Sequence, residues 1–441
     1  MRRFSGTVLA ALLCSLAAPG STMMISEAFD LATEHDPAIP QSLAIYEADS
    51  RRGRQVTGTR LPQINAVGEA LRSHSEVEGG EFFLGQRAED TGNRYSASLE
   101  VRQPLYRRDW RARGRQASAL DSQAEVGRED RIQRLILRVA ERYFAVLEEE
   151  ENLSLARAEQ ESLRKALQDT RNRHEAGRVA ATDLHEARAR FDMARARAMR
   201  ADSALQSARE ALHEITRNGF AELPRLSSEA PLPELEPAEA EQWLELAREH
   251  SLVLREARQQ EEIASAELAA RKNDYSPRLD ALAGFRYSDS TDFMDGQKRE
   301  ERLVGLELTV PIYQGGSARA ARSEASFRHE AARAQLSRAT LETERRVRQL
   351  HRNVLADRAQ VEAAEQSVLS ARTAREATAT GYREGTRTIL DMLDAEARLT
   401  DARRDEVQAR FAYLLNLLNL RYEAGLLEPG HVRTLDNLLE F

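Results

Sequence analysis

The chain has 441 residues, of which 31% are charged and 5% aromatic, while glycine and proline together fill only 34 positions (22 + 12). Such a composition suits long solvated helices rather than a thick core, and it sets aside the ordinary compact enzyme. The formal net charge is -8 with the two signs interspersed, which excludes a basic nucleic-acid face; of the 64 basic residues only Lys165, Lys272 and Lys298 are lysine, a bias read as codon usage and not as function.

Arg2 and Arg3 precede an apolar run over residues 8–18, and Ala18, Pro19 and Gly20 follow it, the pattern of a secretory signal peptide over residues 1–20. The run is too short to cross a bilayer as a helix. Its removal takes two positive charges and no negative one, leaving the rest near -10 (-8 minus 2). Cys14, the one cysteine, lies inside the run, and Leu13 before it is not the small residue that lipidation of a cysteine needs. Beyond residue 20 there is thus no thiol for a disulfide, a thiolate metal site or a nucleophile.

Helical periodicity covers 25–57, broken at Asp36 and Pro37. After Leu61, Pro62 and Gln63 the period becomes two. Ile64, Ala66, Gly68 and Ala70 alternate weakly over a strand expected at about 63–72; Tyr95, Ala97, Leu99 and Val101 alternate strictly with Ser96, Ser98 and Glu100 over one at about 94–103. The polar stretch between them, with Gly79, Gly80 and residues 90–93, reads as the loop of a hairpin. From about 107 to 172 no proline interrupts, and Ile132, Leu135, Val139, Tyr143 and Val146 open a narrow stripe like a coiled-coil seam. Sixty helical residues are roughly 90 Å long. A second helix is expected from Thr182 to about Arg217.

Pro224, Pro231, Pro233 and Pro237 then mark a linker at 219–238, after which the pattern starts again. Leu246 to His250 echo Leu31 to His35 at an offset of 215, and Pro277 echoes Pro62 at the same offset. Strands are expected at about 278–288 and 302–311, a long helix over 316–379, and a last helix ending near Tyr422. The chain is one helix-strand-strand-helix-helix unit written twice, at 21–218 and 239–425, with a tail at 426–441.

The two copies share a turn. Gly177 and Gly385 are each followed six positions later by an aspartate, Asp183 or Asp391, and three further on by Glu186 or Asp394, all at an offset of 208. Each glycine sits where a long helical pattern pauses, and each aspartate falls at the start of the next helix, where free amides and the helix dipole favour a carboxylate. Each is a helix-turn-helix tip.

Four strands of about ten residues with one apolar face need somewhere to bury it. No run approaches the roughly 18 apolar residues of a spanning helix, whereas strands of this length suit the wall of a membrane barrel. Known single-chain barrels begin at about eight strands, so a spanning chain must oligomerise: two copies give eight strands (2 × 4) and three give twelve (3 × 4), the latter with room for a lumen. The competing reading is a structural periplasmic coiled-coil protein with small accessory hairpins.

The tandem unit, the segment Pro311, Ile312, Tyr313, Gln314, Gly315, Gly316, and the second tip from Gly381 and Tyr382 through Gly385, Thr386, Arg387, Thr388, Ile389, Leu390, Asp391, Met392, Leu393 and Asp394 together resemble the TolC family of outer-membrane exit ducts for drug efflux and type I secretion. The resemblance covers essentially the whole chain beyond residue 20. It implies a mainly α fold with a small β part, a homotrimer whose twelve strands form an outer-membrane barrel among lipid, and a periplasmic helical barrel. It also implies a Gram-negative cell, a periplasmic adaptor and an inner-membrane RND or ABC transporter as partners, no cofactor, and no nucleic acid. By the same resemblance Asp391 and Asp394 line the periplasmic constriction, and the closed state is held by Tyr382 and Arg387 with Asp183 and Thr182 as partner positions. Asp169, Arg171 and Arg173 precede the first tip, where a family member can carry another polar side chain, and the resemblance does not assign a part in the network to any one of them.

Other signals are weak. Phe441 resembles the terminal aromatic of many outer-membrane barrels, but no strand pattern precedes it. His35 and His250 recur between the repeats without ligand spacing and read as helix-end residues; Trp110 and Trp243 are too few for an aromatic girdle. No Ser/His/Asp, phosphate-loop or metal signature appears, and no enzyme is expected.

Overall fold

The computed structural model describes residues 22–77, 88–217, 222–227, 230–291 and 298–440. The expected signal peptide with Cys14, the Gly79 and Gly80 turn, and Phe441 lie outside these residues. In chain order the elements are α1 (Ile25–His35), α2 (Ala38–Gly58), β1 (Gln63–Val77), β2 (Ala88–Arg107), α3 (Trp110–Glu175), α4 (Ala181–Thr216), β3 (Arg225–Leu226), α5 (Ala240–His250), α6 (Leu252–Arg271), β4 (Arg278–Ser290), β5 (Lys298–Thr309), α7 (Ser317–Glu384), α8 (Ile389–Glu423), α9 (Pro429–Asp436) and β6 (Leu439–Glu440). Their contacts divide the chain into two units, one of residues 43–129 and 252–343, the other of the remainder.

The first unit holds an antiparallel sheet in the order β1-β2-β4-β5. Its register puts Ile64 beside Val101, Ala66 beside Leu99, Leu99 beside Phe285, Val101 beside Ala283, and Ala283 beside Val304. Because side chains alternate across a strand, these residues, with Tyr95, Ala97, Ala281, Leu306 and Leu308, share one face. That face is apolar and open: Ile64 is 65% exposed, Leu306 69% and Val304 89%. The opposite face carries Arg102, which reaches Asp280 at 3.4 Å, Glu307 at 3.1 Å and Glu100 at 3.6 Å, while Arg107 reaches Asp280 at 3.4 Å. Val67, Leu71 and Leu303 are apolar exceptions there.

Residues 90–93, read from sequence as loop, belong to β2, and each is matched to a residue of β1, Thr91 facing His74 with Oγ1 3.0 Å from Nδ1. Their polar side chains hid them from a hydrophobic pattern, but a ladder is made by backbone groups and needs no apolar side chain. At the other end β2 continues through Pro104, where the pairing with β4 is irregular, the kind of place where a proline without an N–H is tolerated. Consequently α3 starts at Trp110 rather than 107.

Around the sheet's base the helices of this unit meet through small residues. Ala117 and Ala124 of α3, Ala266 and Ala270 of α6, and Ala318, Ala325 and Ala339 of α7 are all buried. Gly53 of α2 lies against α3, where a Cβ would come within 2.4 Å of Asp121 Oδ1 and 2.9 Å of the Ala117 carbonyl oxygen. Polar links join the same helices: Glu129 with Arg255, and Glu261 with His329 Nε2 at 2.7 Å.

In the second unit the main core packs Tyr143, Phe144 and Val146 of α3 with Trp243 and Leu244 of α5 and Phe411, Tyr413 and Leu414 of α8. Phe144 and Phe411 lie 5.6 Å apart between ring centroids. Buried hydroxyls find carbonyls, as burial requires: Tyr143 donates to Met23 at 2.9 Å and Tyr413 donates to Pro233. The linker adds a short antiparallel pair, β3 with β6. At Gly425, with φ of 76°, a Cβ would meet the His250 carbonyl oxygen at 2.1 Å, so this position admits only glycine. One repeat earlier, 208 positions back, Arg217 takes the same left-handed conformation with φ of 51°. His35 and His250 close α1 and α5, and no group of potential metal ligands occurs among the described residues.

Candidate functional site

Both tips lie in the second unit, and both turns are built alike. Gly177 and Gly385 have φ of 71° and 80°. The Gly177 amide donates to the His174 carbonyl at 2.8 Å and the Arg178 amide to Arg173 at 2.8 Å; at the second tip the Gly385 amide donates to Tyr382 at 3.2 Å and the Thr386 amide to Gly381 at 2.8 Å. This paired pattern satisfies carbonyls that a helix end leaves open, and glycine takes the left-handed residue at no steric cost.

The helices that follow differ in how they begin. Thr388 caps α8: its hydroxyl accepts from the Asp391 amide at 3.1 Å, while Asp391 Oδ2 accepts from the Thr388 amide and hydroxyl, each at 2.9 Å. This is a capping box with aspartate in the third helical position. It depresses the Asp391 pKa, first through the Thr388 amide, then through its hydroxyl and the charge of Arg387. Asp183 occupies the same position of α4, but the cap there is Ala180, which has no side-chain oxygen.

A small core of its own holds the four helix ends together: Leu163 and Ala166 of α3, Ala194 and Phe191 of α4, Tyr382 of α7, and Ile389, Met392 and Leu393 of α8. Polar links run along its rim. Tyr382 donates to Asp169 Oδ2 at 3.3 Å, and the Arg173 guanidinium lies over its ring at 4.5 Å while pairing with Asp169 at 3.0 Å. Burial raises the Tyr382 pKa, so the phenol remains a donor at neutral pH. Arg190 of α4 reaches Glu186 at 2.9 Å and Asp394 of α8 at 3.2 Å.

Of the residues singled out from sequence, Tyr382 is thus joined to Asp169 and Arg173, and Asp394 to Arg190. Among the described residues no side-chain hydrogen bond or ion pair involves Thr182, Asp183, Arg387 or Arg171. Arg387 instead lays its stem along the helix end: a Cβ at Gly381 would come within 2.8 Å of Arg387 Cγ. Sequence reasoning missed three participants. The capping Thr388 was visible as a threonine three before an aspartate. Gly381 and Arg190 act across turns or between helices, where spacing along the chain gives no signal.

The profile of the family described as Outer membrane efflux protein matches residues 28–216 and again 243–426. Outer membrane protein TolC of Vibrio cholerae serotype O1 is 31% identical over 446 residues, covering 98% of this chain and 97% of the relative. Alkaline protease secretion protein AprF of Pseudomonas aeruginosa is 28% identical, covering 98% of this chain and 90% of the relative. Among solved structures the Campylobacter jejuni CmeC outer membrane channel superposes with a TM-score of 0.77 over 97% of this chain and 95% of its own, at 15% identity, a likeness of fold.

Proposed function

The chain belongs to the outer membrane efflux protein family, and from that premise we propose that three copies close its four-stranded sheets into one barrel whose helical tips form a gated entrance. It is an outer-membrane exit duct for efflux and type I secretion. It works with partner proteins, and the finer assignment is a homotrimer served by a periplasmic adaptor and an inner-membrane RND or ABC transporter. No enzymatic step is assigned to it.

The observation that carries this reading is the sheet. It has one apolar face open to its surroundings, a face rich in charged groups behind it, and two edges, β1 and β5, that pair with no other strand among the described residues. In hydrocarbon no backbone edge can stay open, so the edges must pair with other copies. The apolar face then meets lipid and the face with Arg102, Asp280 and Glu307 lines water.

At the tips, Asp391 and Asp394 of three chains would ring the entrance, with like charges opposing one another and attracting cations. The closed state is held by the Tyr382 links within each chain and by Arg387 reaching Thr182 and Asp183 of a neighbour. Hydrogen bonds of about 0.5 to 1.5 kcal/mol each, tripled by symmetry, match the ~5.5 kcal/mol that moves a gate from 1:99 to 99:1.

Single-channel conductance in planar bilayers tests this. Wild type should give small cation-selective currents blocked by a trivalent cation from the periplasmic side, Asp391→Ala/Asp394→Ala should lose the block, and Tyr382→Phe/Arg387→Ser should conduct more. No channel from detergent-extracted protein would return the chain to the structural coiled-coil reading.

A further inference from the structure

We propose that Arg190 sets how strongly the entrance carboxylates hold cations, by engaging Asp394 from within the same chain. The inference rests on the reading of the tips as a duct entrance, and concerns a residue that neither sequence spacing nor the gate network brings forward.

The two carboxylates of the second tip are not equivalent. Asp391 is folded back on its own turn, with Oδ2 2.9 Å from both the amide nitrogen and the hydroxyl of Thr388. Asp394 faces another helix, and its Oδ1 lies 3.2 Å from Arg190 Nη2. The default partner for Asp394 is Arg398, one turn further along α8. Arg398 is exposed and makes no ion pair among the described residues. Arg190 wins because it is held in place. Its Nε is fixed by Glu186 at 2.9 Å one turn back on α4, which leaves the other edge of a rigid planar fork aimed at α8. The neighbouring Ala187, Ala194 and Leu393 are buried, so the Arg190 side chain, 35% exposed, sits at the rim of packed side chains.

The consequence is electrostatic. Each chain brings a positive charge into contact with one of its two entrance carboxylates, and a cation that seeks Asp394 must compete with a guanidinium already in hydrogen-bond range. Removing Arg190 frees that carboxylate in every copy while leaving Asp391 in its cap. The residue is therefore a tuning residue for ion selectivity, acting through Asp394.

The test uses full-length protein in planar bilayers with lanthanum chloride on the periplasmic side. Arg190→Gln should lower the concentration for half-block by about tenfold, the scale of three exposed ion pairs released together. Arg190→Lys, which keeps the charge but lacks the second edge that bridges Glu186 and Asp394, should fall between wild type and Arg190→Gln. Adding Asp394→Ala to both wild type and Arg190→Gln should erase the difference between them. An unchanged half-block in Arg190→Gln, or a shift that survives Asp394→Ala, overturns the proposal. A wild type that forms no channel sinks the duct reading instead. Independently of any current, Arg190→Cys with Asp394→Cys should be joined inside one chain by a short bifunctional thiol reagent; a cross-linked dimer would show that the contact lies between copies and overturn the within-chain assignment.

Discussion

Thr388 and Asp391 tie the start of α8 through three hydrogen bonds, and the depressed Asp391 pKa fixes the sign of their response to pH. A carboxylate with a lowered folded-state pKa contributes its stabilisation in full above its unfolded value, and loses it as pH falls through the folded one. The cap should therefore hold at neutral pH and through the ordinary carboxylate range, releasing only below about pH 4. Amide exchange at Asp391 and Met392, followed from pH 7 downward, checks this; protection lost already near pH 5 would mean that like charges across a ring outweigh the cap. Tyr382 behaves in the opposite sense: its raised pKa keeps the bond to Asp169 through neutral pH and surrenders it only in alkali.

Between whole elements, the two tips are one design executed twice with one part missing. The turns share their glycine conformation and backbone hydrogen bonds at an offset of 208, yet Ala180 stands where the second tip has Thr388. Ala180→Thr supplies a hydroxyl to the Asp183 amide and a partner for the Asp183 carboxylate, and should stabilise the start of α4 by roughly 1 kcal/mol. Slower amide exchange over residues 181–184 would report it, and no change there would count against the equivalence of the tips. The tips, hairpins and long helices were legible because each is periodic: glycine before a carboxylate, apolar residues every second position, or a stripe at steps of three and four. What escaped was either polar strand, as at 90–93, or contact between distant segments, as for Arg190 with Asp394 and Tyr382 with Asp169. A subtler feature lies in α7. Ala318, Ala325 and Ala339 are buried at multiples of seven, and so are Val347, Val354, Val361 and Val368, but the two series are one residue out of step. A strict seven-residue repeat drifts about 20° per heptad on an ideal helix, and one extra residue restores the seam.

For the molecule as a whole, the sheet decides where the chain resides. Leu99 and Ser98 are neighbours on β2 with side chains on opposite faces, so one charge placed at each makes a matched pair of tests. Leu99→Arg puts a cation on the apolar face and should cost about 2 to 4 kcal/mol near the bilayer midplane; Ser98→Arg adds the same charge to the face that already carries Arg102 and Glu307, and should assemble normally. Heat-modifiable, detergent-extracted oligomer from outer membranes is the readout. Equal yields from the two variants would reject the assignment of faces.

The open edges of β1 and β5 also have a genetic meaning. In the proposed three-copy barrel each copy completes its neighbours, so a chain with a spoiled edge would damage every ring it joins. In a cell making sound and spoiled chains in equal amount, random assembly in threes leaves about one ring in eight wholly sound. Alleles that injure an edge should thus be dominant, whereas alleles that prevent folding before a chain meets its neighbours should be recessive.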